Sequence, residues 1–309
     1  MQKQTWLVTG CSSGFGEQFV RQLIAQGDQV IATGRNADTR LAHLKDTGAA
    51  ILDLDVTISQ AEMNNKFQQA LGAYGSIDVI VHNAGFIQCG PLEDLTQEEL
   101  QLSFDTHVHG PLNLTRAALP YFRERKSGWL VFMSSQSGFV GEPGATGYCA
   151  SKFALEGAVE CLAKELAWLA PGIKPLIIQS GLFNTHVLKK IHHADSQVPY
   201  WKQLNDAARI RGEGNDKRAL GNPIKMVAKV IQLVKGTGIA EGREIPLRVP
   251  FGSDGLGFMR EKAQFLQATY DEWEGVARST DPEDVSEPMP DIPNRSLDKL
   301  PAITKACVT

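Results

Sequence analysis

The feature that most constrains this chain is a regular alternation between short apolar runs and longer helical patterns. Trp6 to Val8, Val30 to Thr33, Ile51 to Leu54, Val79 to Val81, Leu130 to Met133 and Leu176 to Ile178 read as strands. Between them lie helical patterns at Gly16 to Gln26, Thr39 to Lys45, Gln60 to Leu71, Gln97 to Phe122 and Tyr148 to about Leu169. A helix after every strand makes each connection a crossover, so the strands run parallel and both sheet faces are covered. The expected fold is therefore α/β, a doubly wound Rossmann-type sheet. A helix near Ile224 to Val234 and a strand from Ile245 to Val249 complete it.

Two stretches carry chemistry. The first turn, Thr9-Gly10-Cys11-Ser12-Ser13-Gly14-Phe15-Gly16, joins the first strand to the first helix. Glycines there allow a tight turn and let a pyrophosphate reach the backbone, where a helix N-terminus offers partial positive charge. The second is Tyr148-Cys149-Ala150-Ser151-Lys152, which opens a helix. A phenol and an ammonium four residues apart share a helix face, and a fixed cation favours the phenolate of a group whose free pKa is about 10. The strand Trp129 to Met133 ends in Ser134-Ser135 and reaches Tyr148 through a Gly/Pro-rich loop, which brings a hydroxyl to the phenol. At the end of the second strand, Thr33-Gly34-Arg35 holds no carboxylate before Asp38. An arginine there suits the 2'-phosphate of NADP rather than the free 2'-hydroxyl of NAD.

Composition narrows the classes. Across 309 residues, 42% hydrophobic and 21% charged content describe a globular protein with ample core. A net charge of -4 leaves no polybasic footprint for nucleic acid or an anionic membrane. Five cysteines without paired spacing fit a reduced interior, and no apolar stretch approaches the roughly 20 residues needed to span a bilayer, so a cytoplasmic protein is expected.

Thr9 to Gly16, Asn83-Ala84-Gly85, Ser135, and Tyr148 with Lys152 together resemble the short-chain dehydrogenase/reductase superfamily, and within it the 17β-hydroxysteroid-dehydrogenase-like members. The resemblance covers roughly residues 5 to 255. It implies that Gly10, Gly14 and Gly16 line the pyrophosphate, that Asp55 faces the adenine, and that Ser12, Ser13, Phe15 and Val56 also bind the cofactor. Asn83, Ala84 and Gly85 would flank the cofactor, as would Gly181 and Thr185 after the sixth strand. It also implies that Ser135 binds the substrate oxygen while Tyr148 exchanges its proton. Lys152 would contact the nicotinamide ribose and lower the Tyr148 pKa. Three positions depart from the family pattern. His82 precedes Asn83, Ser180 precedes Gly181, and His107 stands where the family's catalytic asparagine fixes a proton-relay water in a helix kink. A histidine could relay protons itself, or simply pack.

Residues 1–255 are thus expected to form a catalytic domain with a helical lid at about 182–222, its apolar wall shaped by Tyr200 and Trp201. His192 and His193 lack a carboxylate or cysteine at ligand spacing, so no metal is expected. From 256 to 309, Phe258, Phe265, Leu266, Tyr270 and Trp273 recur at helical spacing, on a helix packing on this subunit or a neighbour, before a proline-rich tail from Arg278. The expected activity is an NADP(H)-dependent oxidoreductase interconverting a ketone and a secondary alcohol on a small apolar or polycyclic molecule. NADP(H) is expected over NAD(H), and assembly as a homodimer or homotetramer. The alternatives are a nucleotide-bound sensor or scaffold without turnover, or a non-redox step on a natural-product intermediate.

Overall fold

The computed structural model describes residues 3–185, 191–207 and 221–281. Its strands are β1 (Thr5–Val8), β2 (Gln29–Gly34), β3 (Ala50–Asp53), β4 (Val79–His82), β5 (Gln88–Cys89), β6 (Gly128–Ser135), β7 (Ile173–Ser180), β8 (His192–His193) and β9 (Arg248–Phe251). Seven of them form a parallel sheet in the order β3-β2-β1-β4-β6-β7-β9, and β5 pairs with β8 in a separate two-stranded ribbon. The winding direction reverses between β1 and β4. In open α/β sheets that switch point leaves a crevice at the carboxyl ends of the strands.

Side-chain alternation explains why the sheet is buried on both faces. Trp6 and Val8 of β1, Val79 and Val81 of β4, and Val131 and Met133 of β6 enter one core. Leu7, Ile80, Leu130 and Phe132 from the same strands enter the other. The first core is closed by α1 (Gly14–Ala25) through Phe19, Val20 and Leu23. The helix Pro223–Lys235 adds Met226, Val227 and Val230. Three helices close the second: α3 (Gln60–Tyr74), α5 (Gly110–Arg125) and α6 (Thr146–Leu169), contributing Met63, Phe67, Leu114, Phe122, Leu155 and Val159. Each of these large apolar side chains gains about 1.5–3 kcal/mol on burial, so the two layers and the sheet hold together as one unit.

The structure departs from the sequence-based expectations at several points. The helix expected at Thr39 to Lys45 is the short α2 (Ala37–Arg40) followed by a 3-10 run at Ala42–Thr47. The long helix is broken: α4 (Gln97–Phe104) leads into a π-helical turn at Asp105–His109 before α5. The last strand is Arg248–Phe251 rather than Ile245 to Val249. Pro246 there has no N–H to donate to a ladder.

Residues 186–190 and 208–220 of the expected lid lie outside the described residues, as does the tail from 282. The remainder of the lid is fastened through Asp94, which is buried. Its Oδ1 accepts from the N–H groups of Gln197 and Val198, and its Oδ2 accepts from Asn205 Nδ2 at 2.7 Å. The role expected of Tyr200 and Trp201 is corrected. Tyr200 is 81% exposed, Trp201 donates its indole N–H to Glu93, and neither lines the central cavity. The C-terminal helix, α8 after α7 (Pro223–Lys235), runs Ser253–Arg278. Phe258, Phe265, Tyr270 and Trp273 on it stay exposed, so among the described residues nothing covers that face.

A close approach that shapes the glycine turn is at Gly16. A Cβ there would lie 2.3 Å from the Gly10 carbonyl oxygen and 2.7 Å from Asn83 Nδ2. Gly16→Ala should therefore cost about 1–3 kcal/mol, read as a lower midpoint in chemical denaturation. An unchanged midpoint would contradict this packing.

Candidate active site

The turn after β1 is shaped by Gly10 at φ +70° and Gly14 at φ +62°, backbone conformations that side-chain-bearing residues rarely adopt. A hydrogen-bonded knot fixes it to β4. Thr9 Oγ1 accepts from the N–H groups of Asn83 and Ala84 at 2.9 and 3.0 Å. The Asn83 side-chain amide donates back to the carbonyls of Thr9 and Gly10. Ser13, at the N-cap of α1, makes no side-chain capping bond, so no side chain of its own competes for the N–H groups of the first turn.

A cavity of about 540 Å³ begins here and crosses the ends of the central strands. Gly10, Ser12, Ser13, Gly14, Phe15, Arg35, Asp55, Val56, Asn83, Ala84, Gly85, Gly181 and Thr185 all line it. Thr185 abuts the turn, since a Cβ on Gly14 would lie 3.4 Å from its Cβ. Gly16 is the exception among the glycines expected to line a pyrophosphate. It sits behind the turn and serves the close packing of α1 on Gly10 and Asn83. The glycine cradle, the uncapped helix start and the arginines together fit a dinucleotide. One of those arginines was not singled out from sequence: Arg40, on α2, lines the cavity with Arg35. Arg35 also lies 3.9 Å from Asp55, a solvent-exposed pair of small energetic weight.

At the other end of the cavity, β6 delivers Ser135 and α6 delivers Tyr148 and Lys152. The Ser135 side chain acts on the Tyr148 hydroxyl in the direction that favours the phenolate. Burial outweighs it, and the Tyr148 pKa is raised above its ordinary value. The net shift is therefore upward, against the expectation of a lowered Tyr148 pKa beside Lys152. The Lys152 ammonium donates to the Met133 carbonyl at 2.8 Å and sits 5.8 Å from the Tyr148 ring centre. Burial brings its own pKa down to about 8, against the pull of Glu156 one helical turn on. Glu156 is itself buried and fully occupied, accepting from Ser134 Oγ at 2.6 Å, from Gln179 Nε2 and from Arg248 Nε.

His107 falls within the π-helical turn, at the position where the family pattern places its kink. It lines the cavity, with its ring 5.5 Å from that of Tyr148. Nε2 accepts from the Phe86 N–H at 3.2 Å, which puts the proton on Nδ1, and Nδ1 then donates to Ser151 Oγ at 2.9 Å. Burial holds its pKa well below the ordinary histidine value, with the Lys152 charge adding to the effect. It is a neutral imidazole at physiological pH. His82, the other histidine departure, stacks on Phe132 and contacts Thr115 Oγ1, outside the cavity.

Ser137 and Glu142 also belong to this wall and were not foreseen. Ser135 Oγ lies 3.2 Å from Ser137 Oγ, which in turn donates to Glu142 Oε1. Both sit in the loop between Ser135 and Tyr148, whose Gly/Pro content gave no sign of where its polar side chains would point.

The family model for short chain dehydrogenases matches residues 4–196. The oxidoreductase YusZ of Bacillus subtilis is 32% identical over 268 residues, covering 82% of this chain and 90% of that protein. The 3-ketodihydrosphingosine reductase of Bacteroides thetaiotaomicron is 37% identical over 185 residues, 60% of this chain and 66% of the relative. A crystal structure of a short-chain dehydrogenase from Streptomyces avermitilis superposes with a TM-score of 0.79 at 35% identity, covering 91% of this chain and all of that one. By this breadth of match, and by its seven-stranded parallel sheet, the chain belongs to the short-chain dehydrogenase/reductase family of oxidoreductases.

Proposed function

We propose that the protein interconverts a ketone and a secondary alcohol on a small apolar or polycyclic molecule, with NADP(H) preferred over NAD(H). One observation carries the reading: Ser135, Tyr148 and Lys152 meet at the wall of a single cavity that also holds the glycine turn. When bound, the dinucleotide supplies or accepts a hydride at its nicotinamide ring. Gly10, Ser12, Ser13, Gly14 and Phe15 would hold its phosphates, Asp55 and Val56 its adenine, and Asn83, Ala84, Gly85, Gly181 and Thr185 the remainder. Tyr148 stays protonated, so it gives its proton to a carbonyl oxygen during reduction, and Ser135 donates a hydrogen bond to that same oxygen. Lys152 keeps a positive charge near the phenol, which stabilises the phenolate left behind. The 3-ketodihydrosphingosine reductase among the relatives supports a ketone as substrate.

NADP preference rests on Arg35 and Arg40, two guanidinium groups at one end of the cavity and suited to a 2'-phosphate. Arg35→Ala and Arg40→Ala should each raise the NADP KM, by about tenfold if one charge-assisted hydrogen bond is lost, with the NAD KM little changed. A wild-type KM lower for NAD than for NADP would sink the preference.

Tyr148→Phe removes only the ionisable oxygen and should lower kcat about 10²-fold or more, while NADPH binding, read by fluorescence, persists. Near-normal turnover would remove Tyr148 from the chemistry. A sensor without turnover would instead bind NADPH yet oxidise none of it across a broad ketone panel.

The pH dependence follows from the buried groups. Lys152, with its pKa brought down to about 8, should lose its charge as pH rises through that value, so ketone reduction should decline above it. His107, neutral throughout, should add no limb near its ordinary pKa of about 6.5. His107→Asn should accordingly lower the melting temperature and leave the shape of the profile alone. A limb near neutrality that this substitution abolishes would instead make His107 a proton relay.

A further inference from the structure

The substrate end of the cavity is walled by Phe86, Ile87, Leu102, Ile191 and Leu204, which suit an apolar body. One carboxylate interrupts that wall. Glu142 lies in the loop between Ser135 and Tyr148, half-buried, and is anchored through its own backbone: its N–H donates to Cys149 Sγ and its carbonyl accepts from Ala145 N–H. Its Oε1 accepts from Ser137 Oγ at 2.5 Å and from Gln136 Nε2 at 3.2 Å. Its Oε2 accepts from none of the described residues, and no described cation pairs with it, although Arg35, Arg40 and Lys152 line other parts of the cavity. Gln136 is constrained in turn, since its Nε2 is spent on Glu142 and its Oε1 is buried without a partner. The carboxylate thus stands two hydrogen bonds from Ser135 Oγ, the oxygen proposed to contact the carbonyl. Glu142 lines the same cavity as Ser135 and Tyr148, and its negative charge opposes ionisation of the Tyr148 phenol.

We propose that Glu142 selects substrates carrying a cationic amino group one or two carbons from the reacting carbon, and rejects those with a carboxylate there. This deepens the reading of the protein as a ketone/alcohol oxidoreductase and rests on it. A carboxylate held in place by two donors, with one oxygen open and no counter-ion, accepts an ammonium in a charge-assisted hydrogen bond. An alkyl group at the same place would take water from that oxygen and return nothing, and a second carboxylate would be repelled. The apolar remainder of such a molecule lies against Phe86, Leu102, Ile191 and Leu204. Discrimination is strong where a site built for a polar group meets an analogue that lacks it.

The test compares kcat/KM, followed by NADPH formation, for 1-aminodecan-2-ol, decan-2-ol and 3-hydroxydecanoate in the wild type, Glu142→Gln and Glu142→Leu. The wild type is expected to favour the amino alcohol over decan-2-ol by about tenfold, the worth of one charge-assisted hydrogen bond, and to use the hydroxy acid worst. Both variants should bring the amino-to-neutral ratio close to one and improve the relative use of the hydroxy acid. A variant that slows all three substrates equally would make Glu142 a positioning group for Ser137 and Ser135 and overturn the proposal. So would a wild type with no preference for the amine, a result that needs no variant to fold. Turnover of decan-2-ol without that preference defeats the selectivity alone, whereas no turnover of any alcohol, or of the matching ketones with NADPH, defeats the oxidoreductase reading beneath it.

Discussion

Everything at this site depends on how closely the ends of β1 and β4 approach. Thr9 Oγ1 serves two N–H groups of the β4 exit, and the Asn83 amide answers with two bonds to the carbonyls of the glycine turn. These are buried or half-buried backbone groups that would otherwise lack partners, so the knot satisfies them and fixes the turn at once. Only glycine fits where α1 crosses the knot, because a Cβ on Gly16 would meet the Gly10 carbonyl oxygen at 2.3 Å. That close packing seats α1 against the turn, so the start of the helix lies at the cavity that the turn lines.

The catalytic end shows the cost of putting titratable groups in a dry place. Burial holds Tyr148 more firmly in its protonated form and drives Lys152 towards neutrality, against the usual behaviour of an ammonium. The surrounding structure offsets part of this. Met133 supplies a carbonyl to the ammonium, and Glu156 holds a negative charge one turn along α6. Glu156 is tied into Ser134, Gln179 and Arg248, so the support beneath Ser135 and Lys152 is one connected polar network. His107 contributes shape rather than charge. Both of its nitrogens are engaged, and the π-helical turn that carries it persists although the side chain is not asparagine.

The roof of the cavity is assembled from distant segments. The ribbon of β5 and β8 and the Asp94 hydrogen bonds fasten residues 192–205 to the chain just after β4. Asp254, at the start of α8, accepts from the Leu182 N–H and so ties the C-terminal helix to the loop after β7. The lining of the substrate end is therefore set by contacts between segments about a hundred residues apart in the chain.

What the sequence determined by itself was the sheet, its parallel winding, the glycine turn and the Ser135, Tyr148 and Lys152 grouping. These follow from local signals: strand and helix periodicity, glycine at a strand-to-helix turn, and two side chains on one helical face. The other expected lining residues came from the family resemblance, which carried Asp55, Asn83 and Thr185 onto the segments that follow the strands. Only the tertiary structure decided the electrostatics and the substrate wall. Burial, which no local pattern encodes, sets the Tyr148, Lys152 and His107 protonation states. Arg40 and Glu142 reach the cavity because α2 and the Ser135–Tyr148 loop fold over it, and their neighbours in sequence give no sign of that. Tyr200 and Trp201 show the converse: two aromatics in the lid segment look like a wall in sequence, yet the Asp94 anchor leaves them outside the cavity.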